Sequence, residues 1–282
     1  MTEQFLQGRN ALVTGATRGI GYAIARALAD AGATVAICGR SQQGVDEAVS
    51  SLTNGSQRKV LGKAADVRTS ASVAALFTWL DQMISQQHMG SLNILVNNAG
   101  LGIMKSTADL TVEDWRETID TNLSGVFYCS HEALGRMKNR DGGWIINIGS
   151  LAGKNAFAGG AAYNASKFGL NGFTEAMMLD HRKDNIRVAH IMPGSVDTDF
   201  SSHASNTAAG NDRQSSDAQS SAASSGGARM TVAKSAASKL ESPKSDWKIA
   251  PEDIGEIVLM MLRMPERTLV SRVEVRPAKP RN

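Results

Sequence analysis

The stretch that most restricts how this chain can fold is a short apolar run, Asn10-Ala11-Leu12-Val13-Thr14, broken at once by glycines. Gly15-Ala16-Thr17-Arg18-Gly19-Ile20-Gly21 follows, then an alanine-rich segment from Tyr22 to Ala31. Strand, glycine turn and helix in that order are the context in which a glycine pattern points to dinucleotide binding. Gly15 permits a sharp turn, Gly19 lets a pyrophosphate approach the backbone, and Gly21 lets the helix pack closely on the strand. The helix N-terminus then offers unpaired N–H groups and a positive dipole end to phosphate. A tight strand–helix connection without a ligand is the alternative reading of the same glycines.

The alternation continues along the chain. Thr34-Val35-Ala36-Ile37-Cys38 reads as a second strand, 42 to 53 as a helix, Lys59 to Lys63 as a third strand and 70 to 87 as a helix. Leu92-Asn93-Ile94-Leu95-Val96, 142 to 149, and Asn185 to Met192 read as further strands, with helical patterns over 111 to 138 and 162 to 183 between them. Pro251, with Glu252 and Asp253 behind it, starts a helix over 251 to 263 that Pro265 stops. Residues 268 to 276 alternate as a half-exposed last strand. Such repetition predicts an α/β fold, a parallel sheet covered by helices on both faces.

Residues 201 to 246 break the pattern. Ser, Ala, Gly, Asn and Gln dominate there, with almost no large apolar residue before Met230. That composition cannot bury enough area to offset ordering entropy, so disorder or high mobility is expected, with at most a short helix over 229 to 240.

Chemistry concentrates over 150 to 167. Tyr163 and Lys167 stand at i and i+4, so on a helix the phenol and the ammonium address one small volume. A fixed cation stabilises the phenolate and makes the phenol usable near neutral pH. Ser150 ends the apolar run Trp144-Ile145-Ile146-Asn147-Ile148-Gly149, and the carboxyl end of a strand is where open α/β sheets hold ligands. A Tyr–Lys pair at this spacing also occurs on helices with no chemical role, so the pair alone assigns nothing.

In such folds the residue about 20 positions beyond the glycine loop meets the adenosine ribose. An Asp there would bond the 2′-hydroxyl of NAD and repel a 2′-phosphate. This chain has Arg40, and Arg18 lies within the glycine loop. Two guanidiniums favour NADP through charge-assisted bonds to phosphate, unless either is simply a solvated loop residue.

Composition narrows the alternatives. At 282 residues and 42% hydrophobic content the chain can bury a sizeable core. A net charge of +3 without a long Lys/Arg run gives little support to nucleic-acid binding. Cys38 and Cys129 read as buried free thiols, and His88, His131, His181, His190 and His203 are too scattered for a metal site. No run approaches the ~18 apolar residues of a membrane span, and Met1 to Gln7 shows no signal-peptide stretch. A soluble cytoplasmic protein is expected, with no metal, nucleic-acid or membrane partner.

Thr14-Gly15-x-x-x-Gly19-x-Gly21, Asn97-Asn98-Ala99-Gly100 and Tyr163-x-x-x-Lys167 resemble the short-chain dehydrogenase/reductase family, with Ser150 at the family's distance of 13 residues before the tyrosine. The chain is similar to 3-oxoacyl acyl-carrier-protein reductase-like members over residues 9 to 200 and, less specifically, 247 to 276. The resemblance implies one doubly wound Rossmann domain over residues 1 to 282, with seven parallel strands ordered 3-2-1-4-5-6-7. It implies NADP(H)-dependent interconversion of a carbonyl and a secondary alcohol, with Asn122, Ser150, Tyr163 and Lys167 as the catalytic set. Ser150 would orient the carbonyl oxygen, Tyr163 would exchange the proton, and Lys167 would bond the nicotinamide ribose and lower the tyrosine pKa. Asn122 would perturb its helix and hold a water linking Lys167 to solvent.

For the cofactor, the resemblance adds Thr17 and Ile20 to Gly15, Arg18, Gly19, Gly21 and Arg40. It sets Asp66 and Val67 against the adenine, with room for the cofactor at Asn98, Ala99 and Gly100. Pro193, Gly194 and Val196 would border the nicotinamide, and Thr198 would bond its carboxamide. The 201 to 246 stretch becomes either a substrate lid or a passive insertion. Helices 111 to 138 and 162 to 183 would form a homodimer or homotetramer interface. Substrate stays open among a 3-oxoacyl thioester, a small ketone, an aldehyde and a hydroxy compound. Leu101, Ala156, Phe157 and Phe200 are expected at the pocket without deciding it. A non-catalytic NADP-binding sensor is the reading from another class.

Overall fold

The structure is a computed structural model that describes residues 4–86, 90–138, 142–200 and 246–279. Its frame is one sheet of seven parallel strands in the order β3-β2-β1-β4-β5-β6-β7, as the resemblance implied. The strands are β1 (Asn10–Thr14), β2 (Thr34–Gly39), β3 (Lys59–Ala64), β4 (Leu92–Asn97), β5 (Gly143–Ile148), β6 (Ile186–Pro193) and β7 (Arg272–Val275). Among the described residues seven α-helices accompany them: α1 (Gly19–Asp30), α2 (Gln42–Thr53), α3 (Ser70–Gln86), α4 (Val112–Ile119), α5 (Gly125–Met137), α6 (Ala161–Asp180) and α7 (Pro251–Leu262).

The period of two along each strand builds two cores. Ala11, Val13, Val35, Ile37 and Ile146 face one way, against Ile24 and Leu28 of α1, Val45 of α2 and Val258 of α7. Leu12, Ala36, Leu95, Ile145 and Val188 face the other way, against Phe77 of α3, Ala133 and Met137 of α5 and Met177 of α6. Strands covered on both faces read as near-continuous apolar runs, which is why β1 and β4 were visible in the sequence. Cys38 and Cys129 are free and buried in the second core, and burial pushes the Cys38 thiol up to about 12.

Three elements differ from their sequence outlines. The helix expected over 111 to 138 runs α4, then a five-residue π-helical turn Asp120–Ser124, then α5. Thr111 and Asp114 close a reciprocal capping box at its start. The helix expected to reach 183 ends at Asp180, and Arg182–Asp184 form a 3₁₀ turn before Asn185 takes φ 55°. The last strand is four residues long rather than nine, because pairing with β6 starts at Arg272 opposite His190 and ends at Val275 opposite Pro193. Apart from Asp246, the stretch from 201 to 246, with the short helix expected over 229 to 240, lies outside the described residues. Among the described residues no helix is long and apolar enough to cross a membrane.

Candidate active site

At the carboxyl ends of the strands lies a cleft of about 1370 Å³. Its floor is the turn after β1. Gly15 holds φ 63°, and a Cβ on it would sit 2.7 Å from the Ala99 Cα. A Cβ on Gly21 would lie 2.3 Å from Asn98 Nδ2 and 2.6 Å from the Gly15 carbonyl oxygen. Gly21 therefore makes room for a cross-link and not only for helix packing. Asn98 Nδ2 donates to the Thr14 and Gly15 carbonyls at 3.0 Å each, and the Asn98 and Ala99 N–H groups both donate to Thr14 Oγ1. This knot ties the end of β1 to the end of β4 and leaves the α1 N-terminus open to the cleft.

The predicted cofactor residues converge. Every one of them lines the cleft except Gly21, which underlies the turn, and with them stand Ser150, Tyr163 and Lys167. Asn122 lies outside the lining, fully buried. Leu101 and Phe200 face the cleft, whereas Ala156 and Phe157 do not line it. Gly194 N–H donates to the Val275 carbonyl at 2.8 Å, and residues 195 to 197 are bonded to Ile249, so the loop after β6 is clamped from behind.

Around the expected ribose position the charges are paired. Arg40 is 67% exposed at its side chain, and its Nη1 lies 3.5 Å from Glu117 Oε1 of α4. Arg68 reaches the same oxygen at 2.9 Å and grips Asp66 through Nε and Nη2. The Arg68 hydrogen bonds hold the Asp66 carboxyl below its usual range. Arg18 is exposed at the start of α1 with no side-chain capping bond. Sequence reasoning missed Arg68 and Glu117. Arg68 follows Val67 directly, but nothing in one sequence pairs residue 68 with residue 117.

The side chains expected to react come from the turn after β5 and from α6. Ser150 caps the 3₁₀ turn Leu151–Gly153, its Oγ accepting from Ala152 N–H at 3.1 Å. The Tyr163 hydroxyl shares a hydrogen bond with Ser150. Burial pushes the phenol above its ordinary value of 10.0, and the Ser150 bond pulls it back. Lys167 Nζ donates to the Ile148 carbonyl at 3.1 Å and sits 5.8 Å from the Tyr163 ring centre. Burial lowers Lys167 from 10.5 to about 8. The Phe200 ring stands 5.9 Å from that of Tyr163.

Asn122 works one layer back. Its amide exchanges two bonds with the Leu101 backbone at 2.8 Å each and donates to Ser166 Oγ at 3.0 Å. Ser166 in turn donates to the Tyr163 carbonyl. Its side chain is thus committed to protein partners rather than to the water that the resemblance implied. Among the described residues no cluster of three or more His, Cys, Asp or Glu could hold a metal ion.

The short chain dehydrogenase family matches residues 9–209. This chain belongs to that family. It is an oxidoreductase, and its relatives span several substrates. A 3alpha-hydroxysteroid dehydrogenase of Mediterraneibacter gnavus is 35% identical over 196 residues, 69% of this chain and 76% of the relative. A metagenomic short-chain oxidoreductase in complex with NADP superposes with a TM-score of 0.72 at 28% identity, covering 98% of this chain and 99% of the other. A variant of the actinorhodin polyketide ketoreductase with NADPH gives 0.75 at 27% identity, over 98% of each chain.

Proposed function

We propose that this oxidoreductase uses NADP(H) to interconvert a carbonyl and a secondary alcohol, with Tyr163 as acid and base. One observation carries the reading: the Tyr163 phenol is bonded to Ser150, with the Lys167 ammonium nearby, in the cleft that begins at the glycine turn. The cleft suits a dinucleotide, because the turn is closed to any side chain at Gly15 while the α1 N-terminus faces the space left. Such a cofactor supplies or takes up a hydride at its nicotinamide ring. Support for NADP(H) comes from Arg18 and Arg40 at the cleft and from the NADP and NADPH held by the structural relatives. Arg68 does not line the cleft, its guanidinium being bonded to Asp66 and Glu117.

The chain's own groups then divide the work. Ser150 donates to the carbonyl oxygen and orients it. The neutral Tyr163 hydroxyl gives its proton to that oxygen in reduction and recovers it in oxidation. Lys167 bonds the nicotinamide ribose and steadies the phenolate. Asn122 fixes α6 to the loop after β4 and offers its carbonyl to a water on the way to Lys167. Asp66 and Val67 flank the adenine, while Pro193, Gly194, Val196 and Thr198 border the nicotinamide.

Among substrates a 3-oxoacyl thioester comes first, in line with the polyketide ketoreductase relative. The remaining parts of the reading are a single domain with 201 to 246 as substrate lid, cytoplasmic location, and a homodimer or homotetramer. Phe127 on α5 and Phe168 and Leu179 on α6 are exposed by 48%, 46% and 56%, an apolar face suited to that assembly. The test is NADPH oxidation, followed by absorbance, over a panel of ketones, aldehydes and a 3-oxoacyl thioester mimic. Turnover on at least one member is expected, fastest with the thioester. Tight NADPH binding with no turnover on any member would overturn the assignment.

A further inference from the structure

Arg40 lines the cleft, but its charge is already partly spoken for. Its Nη1 lies 3.5 Å from Glu117 Oε1, and Glu117 stands on α4 outside the lining of the cleft. Arg18, the other arginine expected near the phosphate, forms no ion pair among the described residues. The two guanidiniums are therefore not equivalent.

The same Glu117 oxygen is held more closely from another side. Arg68 Nη1 donates to it at 2.9 Å, while Nε and Nη2 of Arg68 grip Asp66. Signs alternate along Asp66, Arg68, Glu117 and Arg40, so these four charges cancel. Asp120 acts on Arg68 as well, which tips the cluster to the negative side.

A cluster of this kind decides how much of the Arg40 charge a phosphate can use. A phosphate monoester carries close to two negative charges at neutral pH, and a carboxylate beside the arginine that receives it repels it. Glu117 does little to fix the Arg40 guanidinium in place. Their separation of 3.5 Å exceeds the ~3.2 Å of a good N–H···O bond, and the Arg40 side chain is 67% exposed. What Glu117 brings to Arg40 is its charge. Arg68 does not remove that charge from the account, because Arg68 is shared with Asp66, which itself lines the cleft.

We propose that Glu117 is a specificity-determining residue, whose carboxylate offsets Arg40 and holds down the preference for a dinucleotide with a 2′-phosphate. The proposal rests on the cofactor reading above and gives α4 a part in cofactor choice.

Glu117→Gln is the test. The amide keeps the shape and an oxygen for Arg68 while losing the charge. Glu256→Gln, at an exposed position of α7, makes the same change of charge elsewhere. Kd is measured for NADPH and for NADH by nucleotide fluorescence, without substrate. In Glu117→Gln the Kd for NADPH should fall about threefold or more, the effect of one unit charge acting through solvent on a nearly dianionic phosphate. The Kd for NADH should stay the same, and Glu256→Gln should change neither. The gain should shrink at about 1 M salt, where the screening length is about 3 Å. Calorimetry with 2′,5′-ADP and 5′-AMP should repeat the difference without the nicotinamide. An unchanged ratio of the two Kd values, a weaker NADPH complex, or an equal gain in Glu256→Gln overturns the proposal and leaves the cofactor reading standing. A wild-type protein that binds NADH and not NADPH, or neither, overturns the cofactor reading itself and the proposal with it.

Discussion

Replacing Lys167 by Met should make the protein more stable and inactive, and the gain should vanish at high pH. Burial lowers the ammonium from 10.5 to about 8. At 1.36 kcal/mol per pKa unit, carrying that charge in the fold costs about 3 kcal/mol. Met matches the stem in length and shape but loses the bond from Nζ to the Ile148 carbonyl, worth about 1 kcal/mol. A net gain of about 2 kcal/mol follows at pH 7, a rise in Tm of roughly 4 °C. Below pH 8 the lysine is protonated in both folded and unfolded chains, so the wild type bears the whole penalty. Between about 8 and 10.5 the folded state binds fewer protons than the unfolded state, so the wild type gains stability as pH rises. The gap between variant and wild type should therefore close over that window. Urea unfolding of both proteins without cofactor at pH 7, 8, 9 and 10 measures it. A gap of the same size at pH 7 and pH 10, or a variant less stable at pH 7, would refute the assignment of a buried, charge-bearing Lys167.

Tyr163→Phe removes the hydroxyl that bonds Ser150 and should lower kcat by ~10²–10⁴, with KM little changed, in steady-state NADPH oxidation. Arg40→Asp should shift the ratio of kcat/KM for NADPH over NADH by roughly tenfold towards NADH, since a partly exposed charge-assisted contact to phosphate contributes about 1–2 kcal/mol. An unchanged ratio would remove Arg40 from the cofactor site. Gly21→Ala drives a methyl to 2.3 Å from Asn98 Nδ2. Overpacking there should cost about 1–3 kcal/mol in denaturant unfolding and weaken NADPH binding, measured by fluorescence.

The fold was legible because β1, β4 and β5 lie deep in a two-sided sheet, where apolar runs and glycine breaks leave little choice. The edge was not. The alternation over 268 to 276 is the same in and out of register with β6, and only the pairing of Arg272 with His190 fixes where β7 starts. The 111 to 138 helix hid its π-turn, since Asn122 finds its partners at Leu101 and Ser166, far away in sequence. Most of the expected site residues could be placed by motif because they sit at a strand end or a helix start. The charge network around Arg40 could not, because Glu117 comes from another helix. His190 looked like one scattered histidine among five, and only the fold packs its ring on Gly149.

The geometry also locates where the proposed site is most easily disturbed. Ser150 is held by the Ala152 N–H and Lys167 by the Ile148 carbonyl, so two of the three proposed reactive groups take their positions from the short segment 148 to 152 where β5 ends. Tyr163 is placed differently, through α6 and the Asn122–Ser166 link to the loop after β4. Alignment of phenol with hydroxyl therefore depends on two supports meeting at one point. Between Ile148 and Ser150 stands Gly149, whose N–H donates to the Ile191 carbonyl at 2.7 Å and whose Cα faces the His190 ring. A displacement of that ring would move Ser150 and the Lys167 anchor together while leaving Tyr163 in place. Such a displacement changes the phenol–hydroxyl distance first, so the proton-transfer step should register it before cofactor binding does.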